Sequence, residues 1–210
     1  MKVVFVSNIL NHHSEPLCEE FIKSGNQIYF IATSSSQGYG YQKEIIKDYV
    51  IKPLDIENKK LAISHIKDAD IAIFGAGSDE YIRYRMIEDK LSYLYSERFF
   101  KKGVWRALIP STRKKLYNRI GKYKNNKMYV LCASAYLPYD LSIINYPFNK
   151  CFKWGYFPRL NNTENMEDLV SKKNTNEVVI LWVGRLIKLK HPEVMTKLAY
   201  KLKKMDINLL

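Results

Sequence analysis

The stretch "MKVVFVSNILNHHSEPLCEEFIKSGNQIYFIAT" (1–33) decides the fold. Its first part, "KVVFVS" (2–7), is apolar without alternation and rich in valine. Such a run suits a strand covered on both faces rather than one with a wet side. A polar turn, "NHHSEP" (11–16), leads into "EPLCEEFIKSG" (15–25), which has Pro16 in its first turn and Gly25 at its end. Those are the favoured places of proline and glycine in a helix. A second apolar run, "NQIYFIAT" (26–33), follows at once. Strand, helix, strand in this order predicts a βαβ unit.

The same rhythm continues along the chain. "DADIAIFGAG" (68–77) reads as a strand after the amphipathic "NKKLAISHIKD" (58–68), "KLSYLYSE" (90–97) as one after "DEYIRYRMIED" (79–89), and "KMYVLCAS" (127–134) as one after a basic stretch. Alternation of this kind predicts an α/β fold, a Rossmann-like parallel sheet with helices on both faces. Residues 155–176, "GYFPRLNNTENMEDLVSKKNTN", are polar and Asn-rich and read as a linker. Beyond it, "EVVILWVG" (177–184) predicts a strand, "HPEVMTKLAYKLKKM" (191–205) a helix and "DINLL" (206–210) the opening of another strand. The expected organisation is therefore a first Rossmann-like domain over 1–154, a linker over 155–176, and the start of a second such domain over 177–210.

Composition narrows the function classes. Apolar residues make up 47% of the 210, enough for a substantial core. No apolar run reaches the ~20 residues of a membrane span, and the N-terminus turns polar too quickly for a secretory signal, so the chain reads as cytoplasmic. Cys18, Cys132 and Cys151 are widely spaced, without a C-x-x-C pair, and read as buried free thiols. The formal charge is +13, and it is unevenly placed. From Arg98 to Lys127 stand Arg98, Lys101, Lys102, Arg106, Arg113, Lys114, Lys115, Arg119, Lys122, Lys124 and Lys127, with no Asp or Glu among them. A segment of that kind seeks phosphate: anionic lipid, nucleic acid or a diphosphate substrate. Pro110 precedes Ser111 and Thr112, either of which can cap a helix starting near Arg113. Leu116, Tyr117 and Ile120 would share one face of it, available either to a membrane interface or to the sheet.

Several local patterns point to chemistry. "GAGSDE" (75–80) follows a strand, but a dinucleotide fingerprint needs glycine where Glu80 stands, so a tight turn is the better reading. In an open parallel sheet, ligands bind beyond the carboxyl ends of the strands. That places His12 and His13, after the first strand, and Glu97 and Arg98, after the fourth strand read here, at one crevice. A carboxylate beside a guanidinium suits an acceptor hydroxyl and a phosphate. In "VGRLIKLK" (183–190), Arg185 can fork onto a diphosphate and Lys190 can add a charge near a helix start. No Asp-x-Asp stands in a metal-binding context, since "DAD" (68–70) enters its strand from the wrong end.

Five segments in order, "SNILNHHSEPLCEEF", "YSERFFKKGVWR", "YVLCASAYLPYDL", "NKCFKWGYFP" and "ILWVGRLIKLKHPE", resemble bacterial retaining glycosyltransferases of the GT-B type, nearest to those of capsular and surface polysaccharide synthesis. The resemblance implies two Rossmann-like domains, an N-terminal one for the acceptor and a C-terminal one for a nucleoside diphosphate sugar. It implies transfer with retention to a lipid-linked oligosaccharide, and neither metal nor resident cofactor. Arg185 and Lys190 then hold the donor diphosphate. His13, Glu97 and Arg98 are the candidate catalytic residues, and Lys101, Lys102, Arg106, Arg113, Lys114, Lys115 and Arg119 the candidate membrane and acceptor contacts, at the inner face of the cell membrane. The chain departs from many members in having His191 where glycine follows the lysine, and "NILNHHSE" in place of a glycine-rich loop. The family's glutamate-bearing donor motif would fall beyond Leu210, so the resemblance implies a truncated transferase. The competing expectation is a non-catalytic basic module docking on membrane or nucleic acid. Phe99, Phe100, Trp105, Tyr117 and Tyr123 interleave with the cations, but no recognised nucleic-acid motif accompanies them, so no nucleic-acid partner is expected.

Overall fold

The structure, a computed structural model, describes residues 1–34, 45–159, 165–171, 180–184 and 186–205. It divides into two units, Met1–Leu160 and Asn161–Leu210.

Among the described residues the first unit is built on seven strands: β1 (Lys2–Ser7), β2 (Gln27–Ala32), β3 (Val50–Ile51), β4 (Ile71–Phe74), β5 (Ser92–Ser96), β6 (Met128–Cys132) and β7 (Cys151–Lys153). All pair in parallel, in the order β3-β2-β1-β4-β5-β6-β7. The helices between them are α1 (Glu15–Lys23), α2 (Ile56–Asp68), α3 (Asp79–Ile87), α4 (Pro110–Arg119) and α5 (Leu137–Ser142). This is the doubly wound, Rossmann-like α/β arrangement expected. The five longer strands lie where the apolar runs placed them. β3 and β7 were not foreseen, because two and three residues carry no readable period.

Period 2 sorts the strand residues between two cores. Val4 and Val6 of β1, Ala72 and Phe74 of β4, and Met128 and Val130 of β6 face one side, packed with Ala62 and Ile66 of α2, Ile82 of α3, Leu116 of α4 and Leu141 of α5. Val3 and Phe5, Ile73 and Leu131 face the other, where Cys18 of α1 packs among them with Leu17 and Phe21 at its edge. Every one of these strand residues is under a tenth exposed, so the unbroken apolar runs have their explanation in burial on both faces. Arg85 of α3 is fully buried and closes one edge of this core. Its guanidinium donates to the carbonyls of Ile66, Ala69, Asp70 and Leu91 at 2.7–3.0 Å, ending α2 and fastening it to the start of β5.

In the basic stretch one expectation changes and one open alternative is decided. α4 begins at Pro110, with Ile109 at the N-cap position and no side-chain cap, so Ser111 and Thr112 lie inside its first turn. Leu116 and Ile120 are buried against the sheet while Tyr117 is exposed, so that helix face belongs to the core and is not free to lie in a membrane. Among the described residues no helix is long and apolar enough to cross one. The three thiols are free, Cys18 and Cys132 buried and Cys151 half-buried.

In the second unit, α6 (Met166–Ser171) lies inside the segment read as linker, and α7 (Glu193–Lys204) follows Pro192 as expected. Of the strand expected over 177–184, residues 180–184 are irregular and the rest lies outside the described residues, as does the strand expected over 206–210.

Candidate functional site

The strand order fixes where a site can form. The chain runs outward from β1 to β2 and β3, then returns to β4 on the other side of β1. Connections therefore diverge at the carboxyl ends of β1 and β4 and leave a crevice there. A cleft of about 630 Å³ opens at this place, lined by Ser7, Asn8 and Asn11 after β1, Ala76 after β4, and Tyr95 to Phe99 at the end of β5. Lys101, Lys102, Arg106, Thr112 and Arg119 of the basic stretch, and Tyr156 beyond β7, complete it.

The floor is set by short-range geometry. Gly77 has φ +73, and a Cβ there would meet the Thr33 hydroxyl at 2.8 Å. A Cβ on Gly75 would likewise meet the Ser7 hydroxyl at 2.8 Å, so the "GAG" sequence makes a close turn that packs the end of β4 against the ends of β1 and β2. After β1, the Asn11 side-chain oxygen accepts from the backbone N–H of His13 at 2.9 Å and of Ser14 at 3.2 Å. This local Asx turn leads into α1 and fixes where His13 stands.

His13 and Glu97 are brought to the same aromatic residue. The His13 ring lies 4.7 Å from the Tyr156 ring, and the Tyr156 hydroxyl donates to the Glu97 carboxylate. The other carboxylate oxygen of Glu97 takes the Lys101 ammonium. His13 sits in a narrow side recess with Phe5, Leu17 and Trp154, which shares Ser7, Asn11, Tyr95 and Tyr156 with the cleft. Burial, then the neighbouring His12, lowers the His13 pKa, so at neutral pH it is an uncharged imidazole. Its Nδ1 is buried and has no hydrogen-bond partner among the described residues. Burial, then Glu97, pushes the Tyr95 phenol up to about 12, which keeps it a neutral donor in the wall. Burial, then the Glu19 and Glu15 carboxylates, likewise raises the Cys18 thiol to about 12, so it is no nucleophile.

The cations divide into two groups. Arg98 is held by Asp140 of α5, Nε to Oδ1 3.4 Å, and lies over the Tyr136 ring at 5.0 Å. The other Asp140 oxygen accepts from the backbone N–H of Phe99 and Phe100 at 2.9 and 3.1 Å. Arg98 is therefore part of a buried clamp that shapes the loop after β5, as well as a lining residue. Arg119 pairs with Asp79 at 2.9 Å over the Phe99 ring. Lys102 and Arg106 have no carboxylate partner among the described residues, and both line the cleft. Arg113, Lys114 and Lys115 do not line it. They stand exposed on α4, with Arg113 donating to the Ile143 carbonyl at 3.3 Å.

Asp140 and Tyr156 went unrecognised in the sequence as parts of the site. Asp140 is a lone acid in a six-residue helix that has no visible period. Tyr156 stands just past a three-residue strand, in a segment polar enough to read as linker. Yet Arg159 of that segment pairs with Glu15 of α1 at 3.2 Å, so residues 155–159 belong to the first unit.

In the second unit Arg185 lies outside the described residues. Lys190 is exposed and ends the 3₁₀ turn Lys188–Lys190. His191 follows with φ 51 and ψ 49, the left-handed conformation that glycine adopts most easily. Its Nδ1 lies 3.0 Å from the Glu193 carboxylate, in the first turn of α7. Among the described residues no three His, Cys, Asp or Glu side chains are grouped to hold a metal.

Compared with family models, with curated proteins and with solved structures, the chain gives no match.

Proposed function

We propose that the chain is a GT-B glycosyltransferase whose first unit receives a lipid-linked oligosaccharide at the inner face of the cell membrane, in surface polysaccharide synthesis. The sugar comes from a nucleoside diphosphate sugar and is transferred with retention. The observation that carries this reading is the cleft at the switch point of the sheet. Among the described residues, five cations line it against the one carboxylate of Glu97, and two of them, Lys102 and Arg106, lack an acidic partner. An anionic group carried by the acceptor, such as the diphosphate joining sugar to lipid, supplies that partner.

Within the reading, Lys102 and Arg106 bind the acceptor diphosphate, and Arg119 adds charge from the far wall. Glu97 and the neutral His13 flank Tyr156 and face the acceptor hydroxyl, which must lose its proton as the new glycosidic bond forms. Arg98 positions the loop that presents Glu97. Arg185 and Lys190 hold the donor diphosphate, where fixed cations stabilise the leaving group. The left-handed turn at His191 is the geometry that a glycine after the lysine would serve, which favours the resemblance at the one position where the sequence departs from it.

Titration with a water-soluble short-chain prenyl diphosphate saccharide tests the proposal. Saturable binding is expected, weakened at least tenfold when Lys102 and Arg106 are both replaced by alanine, since each charge-assisted pair contributes about 1.5–3 kcal/mol. Failure to bind that compound, together with salt-resistant binding of single-stranded RNA, would replace this reading with a nucleic-acid module.

A further inference from the structure

The 3₁₀ turn Val104–Leu108 is the most apolar exposed feature of the basic stretch. Val104 is 53% exposed, Trp105 61% and Leu108 83%. Three large apolar side chains on one turn are more than scattered surface residues. The turn is firmly built. Gly103 has φ +113, and a Cβ on it would meet the Trp105 ring at 2.7 Å, so the indole lies directly over the glycine. The indole N–H donates to the Lys102 carbonyl at 3.1 Å. The one polar atom of the ring is thereby satisfied within the protein, and the Arg106 guanidinium lies 6.0 Å from the ring centroid, so the exposed remainder of the indole is carbon with a cation beside it. Between the exposed residues, Ala107 is buried and Arg106 is half-buried and lines the cleft.

The electrostatic setting of this turn is one-signed. Lys101 and Lys102 precede it, Arg113, Lys114 and Lys115 follow it, and no acid lies between Arg98 and Lys127. The acids that approach from other elements are engaged: Glu97 with Lys101 and Tyr156, Asp140 beneath Arg98, and Asp79 with Arg119.

We propose that the turn 104–108 is a membrane wedge, with Trp105 and Leu108 entering the interface of an anionic bilayer while the surrounding cations hold its headgroups. Tryptophan suits that depth because its ring is both apolar and polarisable, and cations near an anionic surface add to apolar burial. Charge complementarity decides the occupant. A second copy of the chain would bring like cations together, whereas an anionic headgroup layer meets them all. Because Arg106 sits on the same turn, inserting the wedge also sets the cleft at headgroup height. That consequence, but not the wedge itself, rests on the proposed lipid-linked acceptor.

Co-sedimentation with vesicles of phosphatidylcholine and phosphatidylglycerol, free of prenyl lipid and sugar, tests the wedge apart from transfer. Binding should rise with the phosphatidylglycerol fraction, fall with salt, and drop at least tenfold in the double variant Trp105→Ser, Leu108→Ser. Leu108 is exposed and Trp105 contributes only its packing on Gly103 and one exposed hydrogen bond, so at most a small lowering of the thermal unfolding midpoint should accompany the loss. Three results overturn the proposal: binding by the double variant equal to the parent, equal or absent binding on neutral and anionic vesicles, or a lipid-free dimer that the double variant dissolves. Vesicle binding without acceptor binding would count against the transferase and leave the wedge standing.

Discussion

Arg85 carries a full charge in the interior without an ion-pair partner among the described residues, and backbone carbonyls take the place of a carboxylate. Its contacts at the ends of α2 and of the loop before β5 satisfy acceptors that would otherwise be buried and unmet. Arg85→Met keeps the stem and removes the five donors. Urea unfolding should register a loss of about 3–5 kcal/mol, the usual range for leaving buried polar partners stranded; a loss under about 1 kcal/mol would mean water replaces the guanidinium. The histidines give a pH dependence. His65 stacks on Tyr29 at 3.7 Å, and its pKa is lowered by burial and then by Lys2. His13 is lowered as well. A depressed basic group binds fewer protons folded than unfolded, so its contribution is complete above pH ~6.5 and is lost as pH falls toward the folded pKa. The unfolding midpoint should therefore fall between pH 7.5 and 5.5, and His65→Gln should flatten that slope. An unchanged slope in the variant would assign the dependence to other groups.

α4 illustrates what an element's pattern can and cannot say. Leu116, Tyr117 and Ile120 at i, i+1 and i+4 mark an apolar face, but the sequence does not distinguish a face turned to the sheet from one turned to lipid. Packing separates them: Leu116 and Ile120 are buried and Tyr117 is not. Ile120→Ala should cost about 2–5 kcal/mol, whereas Tyr117→Ala should stay within about 0.5 kcal/mol. Thermal unfolding of the two variants checks this, and comparable losses would place Tyr117 in the core. The strands were legible for the opposite reason. β1, β2, β4 and β6 are largely buried on both faces, which an unbroken apolar run allows, while β5 buries Ser92 and Leu94 on one face and leaves Tyr93 and Tyr95 half-buried on the other. β3 and β7 escape because they owe their pairing to longer neighbours, as in Val130 beside Cys151 and Leu131 beside Phe152. α5 escapes because six residues make less than two turns. Part of the site was legible too, since His13 and Glu97 follow strands of one parallel sheet and so stand at its carboxyl edge, Glu97 in the cleft and His13 in the recess beside it. Asp140 and Tyr156 were not, because their roles come from contacts across 41 and 59 residues of chain that no local spacing encodes.

At the scale of the whole molecule, charge and topology meet at one place. The strand order puts the crevice between β1 and β4, and the acid-free stretch after β5 supplies its cations. The same stretch turns Trp105 and Leu108 outward a few residues from Arg106. On the proposed function, this crevice receives the anionic, lipid-linked acceptor of a sugar transfer. A crystal structure of the protein with a short-chain prenyl diphosphate saccharide tests it most directly. The diphosphate is expected within hydrogen-bonding distance of Lys102 and Arg106, the sugar hydroxyls toward Glu97 and Tyr156, and the prenyl chain leaving past Trp105. A diphosphate seated on the exposed face of α4, at the amino ends of the strands, or nowhere at concentrations that saturate binding would contradict it.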